Sequence, residues 1–93
     1  MPVTAVVLIK ANTDKVTALA EAMVEVSGVS EVFSVAGQYD LVAIVRASDN
    51  ERLAEVVSDK IRKLEGIAGS ETLIAFRAYS RAELETAYSL GLS

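Results

Sequence analysis

The sequence contains no cysteine and no histidine, and aromatic residues make up only 5% of its 93 positions. Without cysteine there is no disulfide framework and no thiolate chemistry, so we expect a reducing, cytoplasmic setting. Without histidine the chain lacks the commonest general base and the commonest transition-metal ligand. The sequence therefore predicts neither a metal site nor a cofactor.

Charge and hydropathy argue against two further kinds of partner. The formal net charge is −4, whereas nucleic-acid binding is driven by clustered lysine and arginine. No apolar run is long enough to span a bilayer, and the first residues lead into a strand-like segment without a signal-peptide pattern. We expect no direct contact with nucleic acid or membrane.

Apolar residues make up 52% of the chain, which is more than the modest core of one small domain needs. Their spacing predicts four strands, at residues 3–10, 29–36, 41–45 and 71–79, with an amphipathic helix after the first and after the third. N-cap candidates are Asn12, Thr13 and Asp14 for the first helix and Ser48, with Glu51, for the second.

This order predicts an α+β, ferredoxin-like βαββαβ fold in residues 1–79, with a four-stranded antiparallel sheet and two helices on one face. Ser80 and Glu83 have capping-box spacing and introduce a short C-terminal helix in residues 80–93, with Leu84, Ala87 and Tyr88 on one side.

Two helices cover only one face of such a sheet, yet the strands are apolar on both. The uncovered face carries about ten apolar side chains and roughly 500 Å² of surface, at or above what soluble monomers usually expose. Covering it on two copies contributes on the order of 20 kcal/mol before association costs. The sequence therefore predicts self-association through this face.

The sequence offers no catalytic arrangement, so we expect a non-enzyme. Its lysines lie at a strand end or on helices, and its paired glutamates are spaced i,i+4 on solvated helix faces. The remaining polar residues lie at loop ends: Gly37, Gln38, Tyr39 and Asp40 at a hairpin, and Ser70 and Thr72 near the fourth strand. Residue type alone favours a structural role for them, in the turn and in the strand.

Several short motifs, in this order, resemble the effector-binding domain of the Lrp/AsnC family, also called the RAM domain. They are the hairpin Val35-Ala36-Gly37-Gln38-Tyr39-Asp40-Leu41-Val42, a leucine-containing helix, Leu64-Glu65-Gly66-Ile67, and Ser70-Glu71-Thr72. The family usually has proline where Glu65 stands. Nothing here resembles the helix-turn-helix of the full-length regulators, so the likeness is to the stand-alone members.

The resemblance implies dimers packed sheet against sheet, which assemble further into octamer- or decamer-like rings, with full-length regulators as additional partners. It also implies an amino acid bound between dimers by Gly37, Gln38, Tyr39, Asp40, Ser70 and Thr72. Asp40 would pair with the ammonium group, and backbone N–H groups at Gly37 with a Ser70 or Thr72 hydroxyl would bind the carboxylate.

Three alternatives share this order of elements. One is a cofactor-free dimeric α/β-barrel enzyme, of the oxygenase or isomerase type, against which the missing histidine counts. The others are an ACT-like sensing module and a structural oligomer that binds no ligand.

Overall fold

The structure is a computed structural model, and it describes residues 2–81. The order of elements is that of a ferredoxin-like α+β fold, as the sequence predicts. The elements are β1 (Val3–Ala11), α1 (Val16–Val24), β2 (Val29–Ser34), β3 (Leu41–Ala47), α2 (Asn50–Ala54) and β4 (Ile67–Ala75). A π-helical segment (Glu55–Lys60) and a turn of 3-10 helix (Ile61–Lys63) extend α2. The described residues end at Arg81, so the predicted C-terminal helix lies outside them.

The sheet has the strand order β2-β3-β1-β4, and all neighbouring strands are antiparallel. The two central strands, β1 and β3, pair with each other from Val3 opposite Ala47 to Ile9 opposite Leu41. Their burial alternates along the chain, which is the pattern of strands with one face on a closed core. β2 and β4 form the two edges of the sheet.

The core lies between the sheet and the helices. Its fully or almost fully buried members include Ala5, Val7, Ile9, Leu41, Ala43 and Val45 from the sheet, and Leu19, Met23, Leu53, Val56 and Ile61 from the helical side. α1 packs on β2 and β3, and α2 packs on β3 and β1. The helices therefore leave edge strand β4 the least covered.

The predicted helix caps are wrong in detail. α1 begins after Lys15 without a side-chain cap, so none of the three candidates before it has this role. α2 is capped by Asp49 rather than Ser48: the Asp49 carboxylate accepts a hydrogen bond from the backbone N–H of Arg52 at 2.8 Å. The reason is that β3 continues to Ala47, which displaces the cap by one residue.

The fourth strand begins four residues earlier and ends four residues earlier than predicted. Ile67 already pairs with Ala11, and the last pair joins Ala75 to Thr4. β1 starts at Val3, which lies opposite Phe76 in this register, so a strand running past Phe76 would have no partner beside it. The length of β1 therefore sets both ends of β4.

Gly28 connects the first helix to β2 with a positive φ of 106°. Its carbonyl oxygen accepts a hydrogen bond from Arg46 N at 2.9 Å. A Cβ at this position would lie 2.9 Å from Cγ2 of Val56, which is fully buried. Backbone conformation and packing therefore both require glycine here.

We expect Gly28→Ala to lower the free energy of unfolding by about 2 kcal/mol or more, because a left-handed backbone and an overpacked Val56 each cost on the order of 1–2 kcal/mol. Urea unfolding monitored by circular dichroism measures the change. Gly69→Ala is the matched control, since the nearest atom to its new Cβ is 4.0 Å away. Equal losses in the two variants would contradict this explanation.

Candidate functional site

The hairpin residues 37–40 join β2 to β3 at one end of the sheet. Gly37 has a φ of 141°, and no atom lies within 4 Å of the position a Cβ would take. The turn is closed by a hydrogen bond from Val35 N to Asp40 O at 3.0 Å. Gly37 and Gln38 are exposed, so the tip projects into solvent, where a second molecule can reach it.

Asp40 fastens this hairpin to the end of β1. Its backbone N–H donates to Ile9 O at 2.8 Å, and its Oδ2 accepts from Ala11 N at 2.9 Å. The Lys10 ammonium lies 4.0 Å from the same oxygen. A carboxylate has room for about four hydrogen bonds, so Asp40 can accept further donors while it holds the hairpin.

Tyr39 reaches across the sheet to β4. Its hydroxyl donates to Oε1 of Glu71 at 3.3 Å, and Glu71 pairs with Leu8 on the face away from the helices. Desolvation raises the pKa of Tyr39 above its ordinary 10.0, and the negative charge of Glu71 and their hydrogen bond raise it further. Tyr39 is therefore a neutral donor at physiological pH.

Ser70 and Thr72 lie on the opposite face of β4. They pair with Ile9 and Val7, whose side chains face the helices, and cross-strand partners share a face. Neither hydroxyl has a hydrogen-bond partner among residues 2–81. Both line a groove of about 850 Å³ between β4 and the helical residues 50–62, which we call the β4 groove.

The β4 groove combines apolar walls with a few polar groups. Its apolar side chains include Leu53, Val57, Ile74 and Phe76, and Arg62 is the one cation among the described residues that line it. Sequence reasoning missed Arg62, because a helical arginine among other charged residues has the pattern of an ordinary solvated face. The arrangement suits an amphipathic ligand with an anionic group.

One chain therefore does not assemble the six predicted residues into one site. Gly37, Gln38, Tyr39 and Asp40 lie together at the hairpin, and the contact of Tyr39 with Glu71 is on the face away from the helices. Ser70 and Thr72 lie together on the helical face. Residues 2–81 contain no cluster of acidic side chains that could hold a metal ion.

The face of the sheet away from the helices, which we call the open face, is apolar at its centre. Cross-strand pairing places Val6, Leu8, Phe33, Val42, Ile44 and Leu73 on it. Phe33 and Leu73 are both 47% exposed. Charged side chains, among them Lys10, Arg46 and Glu71, lie around this apolar centre. The arrangement is that of an interface with an apolar core and a polar rim.

No helix in the described part of the chain is long and apolar enough to cross a membrane.

Comparison with known proteins gives one consistent result. The family described as "Lrp/AsnC ligand binding domain" matches residues 4–84. An uncharacterized helix-turn-helix-type transcriptional regulator of Pyrococcus horikoshii is 40% identical over 58 residues, which are 62% of this chain and 39% of that protein. Another, of Pyrococcus furiosus, is 34% identical over 76 residues, 78% of this chain and 51% of that protein. The matched part of the chain thus spans about half or less of the length of these curated relatives.

Solved structures agree on the fold. TTHA0845 from Thermus thermophilus is 53% identical with a TM-score of 0.80, over 85% of this chain and 99% of that chain. A transcriptional regulator of Neisseria meningitidis, solved as a complex with L-Met, has a TM-score of 0.76 over 85% of this chain and 53% of its own. Its identity is 14%, so that likeness concerns the fold alone.

We predict that Glu71→Gln lowers the pKa of Tyr39 toward 10.0, because it removes a negative charge and a strong acceptor. A difference titration against Tyr39→Phe isolates this phenol from the other tyrosines. Glu31→Gln, which removes a carboxylate from the opposite edge strand, should leave the pKa unchanged. Equal behaviour of the two glutamine variants would contradict the assigned contact.

The raised pKa of Tyr39 also makes the stability of the fold depend on pH. The folded state keeps the Tyr39 proton at pH values where the unfolded state has begun to release it. The contribution of Tyr39 to the free energy of unfolding is therefore fully present below pH 10. It is lost as the pH rises through the higher pKa that Tyr39 has in the folded state. Glu71→Gln should make the free energy of unfolding fall less steeply above pH 10.

Proposed function

The chain belongs to the Lrp/AsnC ligand-binding domain family, and we propose that it is a non-enzymatic, cytoplasmic regulatory module that binds an amino acid and acts as an assembly of several copies. Its curated relatives are transcriptional regulators, so the proposed role is in the control of transcription. Copies of itself and full-length family members are the proposed protein partners. The apolar open face is the observation that most strongly supports the proposal.

The open face supports a dimer in which two sheets pack face to face. Roughly 500 Å² from each copy gives about 1,000 Å² in total, the lower limit for a specific interface. Val6, Leu8, Val42 and Ile44 are only half-buried in one chain, and a second sheet would bury them. The charged rim fixes how the two sheets align.

The proposed ligand site would form where dimers assemble into a larger oligomer. A face-to-face dimer leaves both helical layers and both β4 grooves on the outside. The hairpin tip of a neighbouring dimer can then approach Ser70 and Thr72, which the hairpin of their own chain does not reach. In this arrangement each site takes residues 37–40 from one copy and Ser70 and Thr72 from another.

The composite site suits a free amino acid. The Asp40 carboxylate would accept hydrogen bonds from the ammonium group of the ligand. The ligand's own carboxylate would be bound by backbone N–H groups of the turn and by a hydroxyl of Ser70 or Thr72. The L-Met complex of a protein with the same fold supports this class of ligand. Because the site spans two copies, binding would stabilise the assembly that forms it.

The enzyme alternative gains no support from the described residues. None of the hydroxyls of the β4 groove, those of Ser58, Ser70 and Thr72, is hydrogen-bonded to a carboxylate or a lysine within residues 2–81. The tyrosine that is hydrogen-bonded to Glu71 has a raised pKa, so less of it is present as the tyrosinate that could act as a base.

We predict that Leu73→Asp dissociates the dimer, because an aspartate at the centre of the interface would be buried without a partner. Sedimentation equilibrium at micromolar concentration should give a monomer for this variant and an oligomer for the natural chain. Val24→Asp on α1 is the control, since Val24 is 50% exposed and Leu73 is 47% exposed. A monomeric natural chain would refute the proposed interface.

We predict that at least one of the twenty amino acids, at millimolar concentration, raises the melting temperature. A ligand about tenfold above its dissociation constant adds roughly 1.4 kcal/mol, which is about 5 °C or more in a domain of this size. No shift from any of the twenty would remove ligand binding from the proposal.

A mixing experiment tests whether the site spans two copies. Gln38→Ala/Tyr39→Ala damages the hairpin half, and Ser70→Ala/Thr72→Val damages the strand half; Asp40 stays intact because it holds the hairpin. Each variant alone should bind no amino acid. Refolding the two together should restore about one quarter of the sites by random pairing of chains, whereas a site within one chain would not be restored.

A further inference from the structure

We propose that the β4 groove selects amino acids with uncharged, apolar side chains: Arg62 binds the carboxylate of the ligand, and the opposite, apolar end of the groove takes its side chain. This inference rests on the proposed function, because it names which amino acids the composite site would accept. It follows from the charge of Arg62, which has no partner within residues 2–81, and from the order of side chains along the groove.

Arg62 is a cation without an ion pair in the described part of the chain. The ion pairs of residues 2–81 are formed by Lys10 and by Arg52, and the Arg62 side chain makes no hydrogen bond there. Its neighbour Ile61 is fully buried, which fixes this end of the helical stretch on the core. A guanidinium held in this way can bind a carboxylate through two parallel hydrogen bonds.

Arg62 and Ser70 lie at the same end of the β4 groove. The second helical stretch begins at Asn50, after β3, and ends at Lys63, shortly before β4 begins at Ile67. Because this connection is short, the helical stretch and β4 run in opposite directions. The end of the helical stretch therefore lies beside the start of β4, and the groups that suit a carboxylate are gathered there.

The other end of the β4 groove is apolar. Leu53, from the start of the helical stretch, is almost fully buried, whereas Ile74 and Phe76, from the end of β4, are 55% and 99% exposed. No charged side chain of the described residues lines this end. An apolar side chain of the ligand would remove this surface from water, which is favourable.

The hydroxyl of Thr72 lies between the two ends. Two residues along a strand span roughly 7 Å, so Thr72 is about the length of one extended amino acid from Ser70 and from Ile74. The groove volume of about 850 Å³ is in the range of small-molecule pockets. It leaves room for the ligand and for part of the neighbouring hairpin that would bind the ammonium group.

Charged side chains would be rejected for two different reasons. A lysine or arginine side chain would lose its water at the apolar end and find no carboxylate among the described groove residues. An aspartate or glutamate ligand has two carboxylates at a distance from each other, and Arg62 can bind only one of them. The second carboxylate would lie against apolar side chains without a partner.

The melting temperature of the full-length chain with each amino acid tests the ligand class. L-leucine, L-isoleucine, L-methionine or L-phenylalanine should raise it most, whereas L-lysine, L-arginine, L-aspartate and L-glutamate at the same concentration should not. A charged amino acid that raises it most would overturn the apolar class but leave ligand binding in place. If none of the twenty raises it, the proposed function fails and this inference fails with it.

Isothermal titration calorimetry with the best binder of the four apolar amino acids tests the role of Arg62. Arg62→Gln should weaken binding roughly 10–100-fold, because it removes a charge-assisted contact with the carboxylate. Lys63→Gln removes the neighbouring cation, which does not line the groove, and should bind like the natural chain. Equal affinities of the two variants would overturn the role of Arg62, while the proposed function would stand.

The amide of the same amino acid identifies the group that Arg62 contacts. It lacks the negative charge, so the natural chain should bind it about tenfold or more weakly than the acid. Arg62→Gln should bind acid and amide almost equally, because the interaction that separates them is gone. A variant that still separates them as strongly as the natural chain shows that Arg62 does not bind the carboxylate.

Ile74→Asp tests the apolar end. A carboxylate there should weaken binding of apolar amino acids and provide a partner for a basic side chain, so L-lysine or L-arginine should now raise the melting temperature. Val24→Asp on α1 is the matched control, since Val24 is 50% exposed, and it should keep the natural preference. An unchanged preference in Ile74→Asp would overturn the placement of the ligand side chain.

Discussion

A sheet that is apolar on both faces needs a cover on each, and within residues 2–81 the helices all lie on one side. The alternating burial of β1 and β3 shows that the helical cover is complete over the centre of the sheet. The half-buried Val6, Leu8, Val42 and Ile44 have no such cover within residues 2–81. The proposed assembly follows from this imbalance, since a second copy brings the same apolar surface and is the simplest cover.

The position of β4 at the edge explains why the functional residues are divided. Because the helices pack over β2, β3 and β1, the helical side of β4 remains a groove that contains Ser70, Thr72 and Arg62. The hairpin residues are fixed at the end of β1 by Asp40 and touch β4 only from the open face, through Tyr39 and Glu71. A site that uses both groups therefore depends on contact between copies.

The sequence was sufficient for the fold because hydrophobic periodicity is a local signal that burial preserves. The order of elements, the apolar second face and the hairpin that contains Gly37 are all visible in it. It failed where an end is set by a distant partner: β4 begins at Ile67 because Ala11 is opposite, and Asp49 caps α2 because β3 runs to Ala47. The sequence alone could not show that Ser70 and Thr72 lie on the face of β4 opposite to the contact between Tyr39 and Glu71, because this depends on strand register. Nor could it show that Arg62 lines the same groove as Ser70 and Thr72, because this depends on where the helix is placed.

The most direct test of the account is a crystal structure of the assembled full-length chain grown with the amino acid that raises its melting temperature. We predict two sheets in contact through Leu8, Val42 and Leu73, and the amino acid between the hairpin of one copy and Ser70 and Thr72 of another. Open faces left in solvent, with the contacts between copies made by α1 and α2 instead, would contradict it.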